Sequence, residues 1–229
     1  MFIDLPKVQY ILIDLDGTLT DPKVGITRSV RYAMQKLEQP LDINASIDWV
    51  IGPPLKESLA KLLNVSLHSD LAEQALLAYR ERFATIGLFE NELYPYVATT
   101  LAQLKEQGYQ LFLATAKPTI YAEQILQHFE IKQYFDSIYG SELTGERTNK
   151  SELISYLLEQ EQLDPKHCLM IGDREYDILG ARIHGIPSVA VSYGYAQAGE
   201  IHQAKPDYFI HHFSEILQLP CIKPESVTE

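Results

Sequence analysis

Four short apolar runs constrain the fold more than any other feature of this chain. They are VQYILIDL (8–15), YQLFLAT (109–115), HCLMIGD (167–173) and PSVAVS (187–192), with a weaker fifth, DYFI (207–210). Apolarity that is continuous rather than alternating marks strands covered on both faces, as in parallel sheets. Helical patterns separate them: VATTLAQLKEQG with Gly108 in a C-cap position, KPTIYAEQILQHF, NKSELISYLLEQEQL and YDILGARIHG. This rhythm predicts an α/β fold, a doubly wound parallel sheet.

Residues 20–94 break the rhythm. They hold no convincing strand, only the helical patterns ITRSVRYAMQKLEQ, PPLKESLAKLLNV and SDLAEQALLAYRERFATIG. A parallel crossover needs about a dozen residues, so this stretch is expected to be a small α-helical cap domain inserted after the first strand. The predicted α/β core is then 1–19 and 95–229, with Pro95 at the returning hinge. The last ten residues, from Pro220, read as a loose tail.

The first strand ends in two carboxylates, Asp14 and Asp16, followed by Gly17. An Asp-Gly turn explains Asp16 and Gly17 but leaves Asp14 without a reason. Two acids so close are costly to bury without a cation. The other strands also end in polar groups: Thr115-Ala116-Lys117-Pro118, then Asp173 and Asp177 in GDREYD, with Lys150 opening the helix before it. Ligands of open α/β sheets sit beyond the carboxyl ends of the strands, so the fold gathers these groups. Only oxygen donors are on offer, which points to Mg²⁺. Asp14, Asp173 and Asp16, through its main-chain carbonyl, are the expected metal ligands. Asp177, four residues after Asp173, is expected one shell further out.

Several of these residues also have structural readings. Thr115 is placed to cap the helix beginning at Pro118, Asp173 to cap the helix in REYDILGA, and Lys150 to be a solvated helix residue. The IGPPL loop, with Gly52 and Pro53, either presents a rigid edge to a substrate or starts a helix. Arg28 and Lys56 read as anion partners or as surface charges. Trp49 and the tyrosines read as stacking surfaces or as core.

DLDGTLT, ATAKP, Lys150 and GDREYD, in this order, resemble the four motifs of the haloacid dehalogenase superfamily. GIT-SV-YAM, IGPPLKESL and FENELYPYV resemble its phosphoglycolate phosphatase-like branch, which includes 5′-nucleotidases. The resemblance covers residues 8 to about 215. It implies a Rossmann-like core and Mg²⁺-dependent hydrolysis of a small phosphomonoester. Asp14 would be the nucleophile that forms an aspartyl-phosphate, and Asp16 the acid and base. Thr115 and Lys150 would bind the phosphoryl group, helped by N–H groups of the Leu15–Gly17 turn and Ala116; Gly52 and Pro53 would meet the substrate body. The acid at position 16 favours phosphate esters over carbon–halogen or phosphonate chemistry. A mutase-type transfer keeps both acids but is expected to carry a cap histidine earlier than His68. A phospho-accepting receiver module would place its aspartate on a later strand. A silent binding protein would not need every motif acid.

Composition narrows the partners. The formal net charge of −12 and a pI near 5.0 disfavour nucleic acid and anionic membranes. No apolar run is long enough to span a bilayer, and MFIDLPKVQY lacks the pattern of a signal peptide. Cys168 and Cys221 have no metal-type spacing, and a cytoplasmic monomer or homodimer acting on a small phosphorylated metabolite is expected.

Overall fold

The computed structural model describes residues 8–222. Six parallel strands form one sheet in the order β5-β4-β1-β6-β7-β8. They are β1 (Tyr10–Ile13), β4 (Gln110–Pro118), β5 (Ser137–Ser141), β6 (Cys168–Gly172), β7 (Ser188–Val191) and β8 (Tyr208–Ile210). Around them run α4 (Val97–Glu106), α5 (Thr119–His128), α6 (Lys150–Glu161), α7 (Glu175–Ile183) and α8 (Glu200–Ala204). The connections go outward from β1 to β4 and β5, then return to β6 on its other side. That reversal puts a crevice beyond the ends of β1 and β6.

The inner strands β1, β4, β6 and β7 are buried on both faces along most of their length, which is why their sequences are largely apolar. Ile11 and Ile13 join the larger core cluster with Leu111, Leu113, Leu169 and Ile171, while Leu12 joins the other with Phe112, Ala114 and Met170. Cys168 is a buried free thiol within that second cluster.

Between β1 and β4 lies the helical cap: α1 (Lys23–Lys36), α2 (Leu55–Leu63) and α3 (Asp70–Arg82), the last continuing into a wide turn, Phe83–Gly87. Ser69 caps α3 by accepting the Ala72 N–H at 3.2 Å. The cap is entered and left through a short antiparallel ribbon, β2 (Thr20–Asp21) against β3 (Glu92–Leu93), with Thr20 opposite Leu93 and Asp21 opposite Glu92. The expectation of no strand in residues 20–94 is corrected here; strands of two residues leave no periodic trace in the sequence.

Two other expectations change. β5, SIYGS, was not anticipated, because an edge strand that is only half-buried along most of its length carries no continuous apolar run. At the carboxyl end, Ile222 is fully buried and its carbonyl accepts the Tyr109 hydroxyl at 2.5 Å, so Cys221 and Ile222 pack on the core. The remainder of the expected tail lies outside the described residues.

Candidate active site

Asp14, Asp16, Thr115 and Lys117 come from the ends of two adjacent strands. Each pair is two residues apart, and the period of extended backbone turns both members toward the same side. The turn after β1 is tight: the Leu15 carbonyl accepts the N–H groups of Thr18, Leu19 and Thr20. Gly17 has φ +84°, and a Cβ there would overlap the Asp173 carboxylate. Its N–H donates to the Thr20 carbonyl at 2.8 Å. Gly17 therefore supplies space beside Asp173, and its N–H is engaged within the turn.

Lys150 is the first residue of α6, after Asn149, whose side chain accepts the Ser151 and Glu152 N–H groups. Its ammonium is buried and donates to Asp14 Oδ1 and to the Ala114 carbonyl, both at 2.7 Å. It also lies 2.7 Å from Asp177 Oδ1 in a Coulombic contact without hydrogen-bond alignment. Burial alone would depress this ammonium, but the charges of Asp14 and Asp177 prevail and raise it above its ordinary value. Lys150 is no solvated surface residue.

Asp14, Asp173 and Asp177 each offer a carboxylate oxygen within 4.8 Å of the others. Asp173 is fully buried between Gly17 and Gly194. Its Oδ2 accepts the Tyr195 N–H at 2.7 Å, while its Oδ1 has no hydrogen-bond donor. A buried, unpartnered carboxylate oxygen beside two more carboxylates fits a hard divalent cation. Asp177 thus stands among the converging acids. The Asp16 carboxylate is not one of the three: its Oδ2 pairs with Lys117 Nζ at 2.7 Å. Its Oδ1 is buried without a hydrogen-bond partner, and its main-chain carbonyl is the group expected to face a metal.

Asp173 does not cap α7; Asp177 does, by accepting the Arg174 N–H at 3.1 Å. Thr115 is not a helix cap either, since β4 runs on to Pro118; its hydroxyl accepts the Lys117 N–H at 3.3 Å. Burial raises the Asp16 carboxyl, against the pull of Lys117. Burial, then the charges of Asp14 and Asp177, lifts Asp173 well above the usual carboxylate range. Burial also pushes Asp177 up to about 6, with Lys150 opposing it.

These raised values have a consequence for stability. Between the unfolded carboxylate value of 3.8 and about 6, the folded state holds protons that the unfolded chain releases. The metal-free protein is expected to lose stability as pH rises through that window. A divalent ion competes with those protons, so the Tm gained on adding Mg²⁺ is expected to grow between about pH 5 and about pH 8. Melts with Mg²⁺ or with chelator across that range measure it; an increment independent of pH would contradict the cluster as a cation site.

Above the acids lies a cavity of about 640 Å³. Asp14, Asp16, Thr115, Ala116 and Lys117 form part of its lining, as do Gly52 and Pro53 of the IGPPL loop. Tyr79, Phe83 and Tyr121 add an aromatic wall, with Tyr79 and Phe83 stacked at 5.1 Å and Phe83 edge-on to Tyr121 at 5.5 Å. Lys150 opens instead onto a smaller adjoining cavity with Asp14, Ala116 and Asp177. Arg28 pairs with Glu90 at 2.7 Å at the surface. Lys56 pairs with Glu73 at 2.6 Å on the cavity rim.

Sequence reasoning left Lys117, Phe83 and Arg174 without roles, and read the tyrosines as stacking surfaces or core without singling out Tyr79 and Tyr121. For Lys117 a signal was present: it stands two residues after Thr115 on the same strand. The wall comes from α3, the turn after it and α5, and no sequence motif links those elements.

Comparison with known proteins places the chain in a family. Residues 11–191 match the family model described as haloacid dehalogenase-like hydrolase. A 5′-nucleotidase of Pseudomonas aeruginosa is 41% identical over 209 residues, spanning 91% of this chain and 94% of that protein. The tyrosine-protein kinase PtkA of Mycobacterium tuberculosis is 35% identical over 204 residues, 89% of this chain and 68% of that protein. A phosphoglycolate phosphatase of Vibrio vulnificus is 30% identical over 221 residues, 93% and 96% of the two chains. The crystal structure of a predicted phosphatase from Clostridium acetobutylicum superposes with a TM-score of 0.87 at 38% identity, covering 93% of this chain and 100% of that one.

Proposed function

The chain belongs to the haloacid dehalogenase-like hydrolases, and from that premise we propose that it hydrolyses a nucleoside 5′-monophosphate or a phosphomonoester of similar size through a phosphorylated Asp14. The observation behind this reading is Asp14, held by Lys150 and flanked by Asp173 and Asp177, at the floor of a roofed, aromatic-walled cavity. Residues 20–94 act as the cap and the remainder as the catalytic core. The absence, among the described residues, of any helix long and apolar enough to cross a membrane, together with two free cysteines, supports a cytoplasmic setting.

Substrate size follows from the cavity. A space of about 640 Å³ suits a drug-sized ligand, and the two-carbon body of phosphoglycolate leaves most of it unfilled. Aromatic faces suit a planar base. The 41% identity to a protein named 5′-nucleotidase supports the same choice. Release of phosphate from a panel of phosphorylated metabolites, with Mg²⁺ and with chelator, tests it. Nucleoside 5′-monophosphates should lead; a clear lead for phosphoglycolate would overturn the choice of substrate.

In the mechanism, an Asp14 oxygen attacks phosphorus in line and the bond to the leaving oxygen breaks. Asp16 gives its proton to that oxygen, then takes one from the water that attacks the acyl phosphate, returning Asp14 and freeing phosphate. The burial of Asp16 favours holding the proton and the Lys117 charge favours losing it, so both forms are within reach. Thr115 and Ala116 meet phosphoryl oxygens, and Lys150 supplies fixed positive charge. Mg²⁺ held by Asp14, Asp173, Asp177 and the Asp16 carbonyl would neutralise the phosphoryl charge.

Asp16→Asn separates the two halves of this scheme. Natural esters, whose leaving groups need a proton, are expected to slow by about 10²–10⁴-fold. An activated ester such as p-nitrophenyl phosphate should still phosphorylate Asp14, and the phosphoenzyme should accumulate. Mass spectrometry of the quenched protein reads that adduct, and equal losses on both substrates would remove Asp16 from the acid role.

A further inference from the structure

One buried core side chain holds the loop that roofs the cavity; it lines not that cavity but the smaller adjoining one, with Gly52, Lys150 and Asp177. Arg174 directly follows Asp173 and is 5% exposed. Its Nη1 donates to the carbonyl of Ile51, 123 residues away in the cap. Its Nε donates to Glu200 Oε1 at 2.8 Å, a pair whose two side chains are only 6% and 7% exposed. Glu200 is fixed in turn: Oε1 also accepts the Glu175 N–H at 2.9 Å, and Oε2 accepts the Gln197 N–H at 2.7 Å.

The loop is shaped to the guanidinium. Gly52 has φ +102°, and a Cβ there would come within 2.7 Å of Arg174 Nη1 and 2.8 Å of its Cγ. A buried guanidinium is costly unless its donors are met. Here one end of the fork is met by an anion on α8 and the other by the loop. Core and loop each need the other in place. Beyond the contact, Gly52, Pro53, Pro54 and Leu55 line the cavity.

We propose that Arg174 is a positioning residue that latches the Ile51–Leu55 loop in its closed place and so sets affinity for esters whose body reaches that loop. It acts on binding of the body, not on phosphoryl transfer. The activity arm of the test rests on the phosphomonoesterase reading above; a second arm does not. Trp49, the chain's single tryptophan, stands two residues before Ile51 in the turn Asp48–Val50. Half-buried, with Lys61 Nζ over its ring at 4.6 Å, it reports on the loop without any substrate.

The experiment uses the full chain as wild type, Arg174→Met, Arg174→Lys and Glu200→Gln, with adenosine 5′-monophosphate and acetyl phosphate in Mg²⁺. Arg174→Met is expected to raise KM for the nucleotide about tenfold or more, as loss of a charge-assisted bond implies. kcat, and both parameters for the small acetyl phosphate, should stay within about threefold. Acrylamide quenching of Trp49 should increase without any substrate present. Arg174→Lys, which keeps the pair with Glu200 but not the fork, and Glu200→Gln should fall between, and they keep the test decisive if the methionine variant folds poorly. Equal kcat losses on both substrates, or an unchanged nucleotide KM with unchanged quenching, would overturn the latch. If the wild type hydrolyses neither compound, the functional reading fails, and the quenching arm still decides the latch.

Discussion

Replacing Asp14 with asparagine is expected to abolish turnover of every phosphomonoester, a fall of about 10⁴-fold or more, as for removal of an attacking group. An amide oxygen is a poor nucleophile toward phosphorus and brings no negative charge. The fold should survive, because asparagine has the same shape and Lys150 keeps the Ala114 carbonyl and Asp177 as partners. The variant also separates binding from chemistry. Inorganic phosphate should still protect it against heat, while no covalent adduct forms with an activated ester. Colour release from p-nitrophenyl phosphate measures the loss, and residual activity above a few per cent of wild type would remove Asp14 as nucleophile.

Lys150→Met is the second large effect, and it should appear in stability as well as in rate. Lys150 is the cation nearest Asp14 and Asp177, and all three are buried. Taking one partner from a buried ionic cluster leaves uncompensated charge, at a cost of about 3–5 kcal/mol. Methionine keeps the length and the apolar stem, so the loss isolates the charge. Turnover is expected to fall by about 10²-fold or more, because a fixed positive group no longer meets the phosphoryl charge. Denaturant melts at neutral pH measure the first effect. A midpoint equal to wild type would show that the carboxylates do not depend on this lysine.

What the sequence disclosed and what it hid divide along physical lines. β1, β4 and β6 were legible because burial on both faces makes their apolar runs continuous, and Asp14 and Asp173 because each follows such a run. The helical insert between β1 and β4 was legible because residues 20–94 were too many for a crossover. β5 was hidden, since a half-buried edge strand has no reason to be apolar throughout. The Lys117–Asp16 pair was within reach, as both lie in motifs at alternating positions, but its geometry depends on how two neighbouring strands align. Arg174 was out of reach. Its partners stand 123 and 26 positions away, and nothing local to GDREYD shows that its arginine is buried across a contact between two layers.

The ribbon of Thr20–Asp21 against Glu92–Leu93 has a consequence for the history of such a molecule. Because the chain leaves and returns at adjacent, antiparallel positions, a tight turn joining Asp21 to Glu92 would close the backbone without rewiring one strand of the sheet. Everything between those two residues is therefore a cassette. The sheet end that gathers the carboxylates can be kept while the roof is exchanged, lengthened or trimmed, so the cavity can be reshaped without rebuilding the acidic cluster beneath it.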